Sequence, residues 1–298
     1  WRLLAERTGL AQKLQAGEYR IDAGMTPRAL LQAIADGRVV QYRVTILEGS
    51  RFRDLRVALA AVPQLTQTIG GLGDAEVLAQ VGATETHPEG LFLPDTYFFP
   101  RGFSDVDLLK RAYWAQKKLL EQAWQKRAKD LPLSDPYQVL ILASVIEKET
   151  GRSGERPEIA GVFVNRLRQG WRLQTDPTVI YALQRAGKWD GNLSRDDLQF
   201  DSPYNTYRYG GLPPGPIGNP GRAAIAGVLK HAAALAEDVA RVTVALARRL
   251  AVDVARRAGH LLGRGLFAAR RGGCGLRCAA TGCRDDRDRG WRVGLSDR

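Results

Sequence analysis

The chain predicts an α+β fold, and three observations carry that expectation. Short stretches of alternating or β-rich character fall within the first fifty residues, and longer 3.6-residue periodicities bounded by capping residues follow them. The length of 298 residues, 44% hydrophobic and 26% charged, is enough to bury a sizeable core in one or two domains. Residues 16–21 read as a short strand, and Thr26-Pro27 opens a capped helix running to residue 35. Residues 39–46 alternate in character and predict a second strand, followed by a helix over 52–61. Ser104 predicts the cap of a long helix reaching about residue 129, with Leu108, Ala112, Ala115, Leu119 and Ala123 as its buried stripe.

The next helix carries the chemistry. Residues 136–151 wind an apolar run around a carboxylate: Glu147 shares a face with Leu140, Ala143 and Ser144, while Val139, Leu142, Val145 and Ile146 cover most of the rest. Gly151 reads as the helix stop. Desolvation and the negative end of the helix dipole both favour the protonated form of Glu147, which makes it a candidate general acid. The competing reading is an ion pair of Glu147 or Glu149 with Arg152, Arg156 or Lys148. Glu149 is the rival acid; it lies about 200° round the helix from Glu147, so the two cannot serve one cleft.

A dense polar region follows. Residues 156–170 predict a helix with proline in its first turn and glycine just past its end. Gln174 stands on the approach to another helix, for which Asp176 followed by Pro177 reads as the cap. The segment from Tyr204 to Tyr207 leads into a Pro/Gly-rich loop over 210–221 that can be neither a helix nor a central strand. Such a rigid loop suits the wall of a cleft for an extended ligand.

Taken in order, Glu89-Gly90-Leu91-Phe92-Leu93-Pro94-Asp95-Thr96-Tyr97, the 143–151 helix end, Asn165-Arg166-Leu167, Leu173-Gln174-Thr175-Asp176-Pro177-Thr178, Tyr204-Asn205-Thr206-Tyr207 and Gly211-Leu212-Pro213-Pro214-Gly215 resemble the MltG/YceG-like endolytic murein transglycosylases. The resemblance runs from about residue 14 to about residue 231. It implies a LysM-like amino-terminal module over 1–84 and a YceG-like catalytic domain over 85–231. It also implies a bacterial enzyme that faces the periplasm from a single-pass inner-membrane anchor and cuts peptidoglycan glycan strands to leave 1,6-anhydro-N-acetylmuramic acid ends. Glu147 is then the expected catalytic acid. Gln174, Tyr204 and Asn205 are the residues expected to hold the sugar, with Asp176 and Asn165 as weaker candidates. Cell-wall synthases are possible protein partners. No cofactor is implied, and two other readings stay open: a catalytically inactive peptidoglycan-binding protein and a hydrolytic muramidase.

Nothing in the chain is apolar for long enough to cross a bilayer and nothing resembles a signal peptide; the chain starts at Trp1 and its one methionine is Met25, so an amino-terminal anchor is expected to have been removed. Residues 232–298 depart from the family pattern. From His231 to the end there are 14 arginines, no lysine and 7 acidic residues, a net of +7 out of the chain's +12. This Arg/Ala/Gly vocabulary is what GC-rich codons give in a shifted frame, so the tail is expected to be non-native. Its arginines are scattered among apolar residues, which does not predict a nucleic-acid partner. Cys274, Cys278 and Cys283 lack paired metal-ligand spacing and the histidines are far apart, so no metal site is expected.

Overall fold

A computed structural model describes residues 1–128 and 131–230, and these form a mixed fold of helices and one two-stranded sheet. The tail and its cysteines lie outside the described residues. Helix α1 (Arg2–Arg7) and a 3-10 turn (Ala11–Lys13) precede α2 (Pro27–Ala35). As its sequence predicts, α2 starts at Thr26, whose hydroxyl accepts the Ala29 N–H at 3.2 Å. Residues 16–21 are not a strand; they are tied to the following segment by bonds from the Val40 N–H to the Glu18 carbonyl and from the Tyr42 hydroxyl to the Glu18 carboxylate, both at 2.8 Å.

The expected strand over 39–46 contracts to β1 (Tyr42–Thr45), which pairs antiparallel with β2 (Thr96–Phe99), Tyr42 opposite Phe99 and Thr45 opposite Thr96. The ladder ends before Pro100, which follows β2 directly. The pairing joins residues on both sides of the domain boundary expected near 84.

Between the strands lie α3 (Phe52–Ala60) and α4 (Asp74–Val81). Helix α5 (Asp105–Gln125) is capped by Ser104, whose Oγ accepts the Asp107 N–H at 3.0 Å. Its buried face keeps Leu108 and Ala112 but turns toward Leu109, Tyr113, Gln116 and Leu120, leaving Ala115, Leu119 and Ala123 only half-buried. Asp105 is fully buried and takes the N–H groups of Thr68 at 3.0 Å, Ile69 at 3.2 Å and Val106 at 2.7 Å, together with the Thr68 hydroxyl. It ties the start of α5 to the 66–69 loop.

Helix α6 (Pro136–Glu149) runs through the centre, in contact with α5, α7 (Arg156–Arg168), α8 (Asp176–Arg185) and α9 (Arg222–Lys230). Asp135 caps it through the Gln138 N–H at 2.9 Å, and residues 139–147 are all buried. Its stop is Thr150 in an extended conformation rather than the expected Gly151. The Pro/Gly loop after residue 210 packs on this helix: the Ile217 N–H donates to Ser144 Oγ at 3.0 Å. Asn219, also buried, exchanges backbone bonds with Gly49 and Ser50 at 2.8 Å and accepts the Phe92 N–H at 3.2 Å on its side chain. Gly90 has φ 79°, and a Cβ there would collide with Pro216, so the loop closes on it only because it is glycine.

Among the described residues no helix is long and apolar enough to cross a membrane, and no cluster of His, Cys, Asp and Glu could hold a metal ion.

Removing the Asp105 carboxylate leaves three N–H groups without their acceptor, that of Ile69 buried. Asp105→Ala is expected to lower stability by about 3 kcal/mol, read from denaturant titration at pH 7.

Candidate active site

The end of α6 sends its two glutamates in opposite directions. Glu147 turns inward, with its side chain 3% exposed, and forms a buried ion pair with Arg156, itself 6% exposed, at the first turn of α7. Its second oxygen accepts the Gly221 N–H at 2.9 Å. Arg156 also reaches Glu48 at 2.9 Å, and a Cβ on Gly221 would run into that Glu48 carboxylate. Burial pushes the Glu147 carboxyl up; the Gly221 N–H and Arg156 pull it back, and Glu48 adds to the rise. The direction agrees with the expectation from sequence, but both oxygens are engaged within the protein. The competing reading of an ion pair with Arg156 is the one realised, in the interior rather than at the surface.

Glu149 turns the other way and is half-buried, accepting the Thr175 hydroxyl at 2.6 Å. Thr175 immediately precedes α8 and is flanked by Gln174 and Asp176. It is therefore Thr175, and not Asp176, that stands at the helix cap, and Asp176 is the first residue of the helix. Capping does not account for Asp176: its carboxylate accepts the Tyr207 hydroxyl at 2.6 Å. Burial, Asp176 and then Glu149 raise the Tyr207 phenol above its ordinary range, against the pull of Arg166, so Tyr207 remains a donor. Gln174 is exposed and has φ 51°, the left-handed region that an L side chain enters only under constraint. Its N–H is held by the Thr206 carbonyl at 3.2 Å, while the buried hydroxyls of Thr178 and Thr206 meet at 2.9 Å beneath it. The structure thus gathers Glu149, Gln174, Thr175, Asp176 and Tyr207 around one turn, with the charge of Arg166 close by.

Three expected site residues have other occupations. Asn205 is fully buried and held on both sides: it donates to the carbonyls of Leu198 at 3.0 Å and Phe200 at 2.8 Å and accepts the Tyr207 N–H at 2.9 Å. It shapes the turn that carries Tyr207 and has neither amide hydrogen left for a sugar. Tyr204 is 8% exposed, its ring 4.9 Å from that of Tyr181 and 5.8 Å from the Arg185 guanidinium. Asn165 is half-buried on α7, accepting from Arg168 at 3.1 Å. Residues not singled out from sequence are Thr175 and Tyr207, both inside the quoted motifs.

Glu89 is another such residue. It is buried, accepts the Phe52 N–H at 2.9 Å at the start of α3, and takes the Tyr181 hydroxyl at 3.3 Å. Burial pushes its carboxyl up to about 7, against those two bonds and Arg51.

In chemical terms, a half-buried carboxylate beside hydroxyl and amide groups can exchange a proton with a ligand and offer it hydrogen bonds. The chain belongs to the YceG-like family, whose model matches residues 1–236. An endolytic murein transglycosylase of Bacillus subtilis (strain 168) is 33% identical over 228 residues, which cover 71% of this chain and 62% of that protein. One from Streptococcus pneumoniae serotype 2 is 34% identical over 141 residues, 46% of this chain and 25% of that protein. The chain therefore spans under two thirds of the length of each. A solved YceG-like protein from Listeria monocytogenes shares the fold with TM-score 0.53 and 29% identity, over 76% of this chain and 79% of that one.

The Glu89 carboxyl, ordinarily at 4.5 and here at about 7, binds its proton more tightly in the folded state. Its contribution is complete below pH 4.5 and is lost as pH rises toward 7, on the order of 3 kcal/mol in all. Melting curves across that window should slope downward with pH, and Glu89→Gln should flatten the slope.

Proposed function

We propose that the protein is an endolytic lytic transglycosylase of peptidoglycan, and that Glu149 is its catalytic acid. The observation that carries the assignment of the acid is the bond from Thr175 to Glu149 beside Gln174 and Asp176, on the face of α6 turned away from Arg156. Glu147, the expectation from sequence, has one oxygen on a guanidinium that carries charge at every ordinary pH and the other on a backbone N–H. Its role in this reading is to hold the end of α6 in place. The activity itself is supported by family membership and by the names of the relatives.

The Glu149 carboxyl donates its proton to the oxygen linking two sugars as the bond from that oxygen to C1 breaks. The resulting carboxylate takes a proton from the same sugar's C6 hydroxyl as its oxygen closes on C1. The products are a 1,6-anhydro end and a new hydroxyl end. Because the nucleophile is tethered to the reacting sugar, one carboxylate suffices, where a hydrolase uses two. Thr175 fixes the rotamer of Glu149. Gln174 and the Asp176–Tyr207 pair supply hydrogen bonds to the sugar, and the substrate's acetamido group stabilises the charge at C1.

Residues 1–84 as a LysM-like glycan-recognition module, an inner-membrane anchor with the catalytic part in the periplasm, and association with cell-wall synthases belong to the same proposal. Their support is the family resemblance. The muramidase alternative gives Asp176 the part of second carboxylate.

Glu149→Gln keeps the shape and removes the titrating proton. Turnover should fall by about a thousandfold or more while glycan binding persists. Glu147→Gln, by contrast, should lower the melting temperature and reduce activity only in step with folding. Mass spectrometry of digested glycan strands reads the reaction: anhydro ends support it, reducing ends give the hydrolase, and intact strands give the binding protein. Near-complete loss in a folded Glu147 variant with activity kept at position 149 would return the acid to Glu147.

Gln174 gives a separate measurement. Gln174→Gly relieves the left-handed strain, so the melting temperature should hold or rise, while loss of hydrogen bonds worth roughly 0.5–1.5 kcal/mol each should lower turnover severalfold.

A further inference from the structure

A cleft of about 610 Å³ opens between the start of α3, the His87–Glu89 segment and the end of α8. Arg51, Arg53, Arg56 and Arg185 line it, against Asp74 and Glu89. Two of these arginines are committed to the protein. Arg51 holds Asp54 at 3.1 Å and Gln184 at 2.9 Å; Arg56 holds the carbonyls of Ile69 at 3.0 Å and Leu72 at 2.8 Å. Arg185, exposed in the last turn of α8, rests instead on a histidine: its Nη1 lies 2.7 Å from His87 Nε2.

That contact leaves the cleft with one donor too many. His87 Nδ1 faces the Glu89 N–H at 3.2 Å, and Nε2 faces the guanidinium. A neutral imidazole has one N–H and one lone pair. With its proton on Nδ1 it opposes the Glu89 N–H; with its proton on Nε2 it opposes Arg185; as imidazolium it opposes both. Burial, and then the Arg185 charge, hold His87 below its ordinary value, with Asp74 working the other way. Every protonation state therefore lacks an acceptor.

We propose that this cleft binds a carboxylate, such as the C-terminus of a peptide, between Arg185 and His87. With the proton on Nε2, Nδ1 accepts the Glu89 N–H, while the Nε2–H and the guanidinium both donate to the ligand, and all four groups are satisfied. Arginine's fork matches a carboxylate's two oxygens. The Tyr204 ring 5.8 Å from the guanidinium and the Tyr181 ring beside it give Arg185 a fixed platform. Glu89 and Asp74 in the same walls disfavour a phosphate dianion relative to a monoanion. The site stands independently of the transglycosylase reading, since neither Arg185 nor His87 takes part in that chemistry.

The test uses the full chain, acetyl-alanyl-alanine with a free carboxylate as probe, and its C-terminal amide and inorganic phosphate as comparisons. The carboxylate should bind at least about tenfold more tightly than the amide. NMR titration should show the His87 ring raised in pKa by the carboxylate, in a field shared with Arg185, Asp74 and Glu89. Arg185→Gln and His87→Gln should each weaken binding about tenfold, Arg185→Lys less so, and Arg53→Gln under threefold. Melting curves confirm that the variants fold, and Arg185 is exposed enough to be replaced. Equal binding of acid and amide, an unmoved His87 ring, or unchanged affinity in folded Arg185→Gln overturns the proposal, and tighter binding of phosphate overturns the choice of a carboxylate.

Discussion

The buried ion pair between Glu147 and Arg156 is the constraint on which the rest of the structure depends. It joins the last turn of α6 to the first turn of α7, and Arg156 carries the link on to Glu48 while Glu147 carries it to the backbone of Gly221. Two successive helices and two segments distant in the chain thus meet at two charges. Such a pair contributes little net stability compared with an apolar replacement of the same shape, because both ions lose their hydration. Its effect is on geometry: an unpaired charge at this depth would be so costly that α6 can take only the rotation that keeps the pair closed.

That rotation decides where Glu149 goes. Two residues further along the helix, it must leave by the opposite face, and there it meets Thr175. The wall it meets is itself over-determined. Thr178 and Thr206 share a buried hydrogen bond, Asn205 locks the turn before Tyr207, and Gln174 is forced into the left-handed region between them. Strain of this kind persists only where neighbouring bonds hold it, and the residue held in it here is exposed.

The Pro/Gly loop ties the opposite flank. Asn219 satisfies the backbone of Gly49, Ser50 and Phe92 at once, and Gly90 and Gly221 leave the room that Pro216 and Glu48 occupy. The strand pair extends this unity toward the amino terminus, since β1 and β2 come from either side of residue 84. The small sheet and the central helix therefore belong to one packing arrangement in which Val44, Phe99, Leu142 and Ile225 contribute to the same apolar core.

Local rules carried much of this fold. Thr26, Ser104 and Asp135 each cap the helix that their neighbours' periodicity predicts, because a cap and an apolar stripe are written within a few residues of chain. Strand extent was not local: residues 16–21 found no strand to pair with among the described residues, and β1 is only as long as its ladder with Thr96–Phe99. The motifs marked the site region, and the helical repeat alone showed that Glu147 and Glu149 face apart. What each of them faces was decided by tertiary contact. Arg156 and Gly221 claim one carboxylate and Thr175 the other, and Asn205 spends its hydrogen bonds on Leu198, Phe200 and Tyr207. The sequence by itself determined most of the helices, the caps at Thr26 and Ser104, and the polar segments that gather at the site. Only the tertiary structure decided which polar groups were consumed in holding it together, because a hydrogen-bonding group is committed or available according to partners that lie far away in the chain.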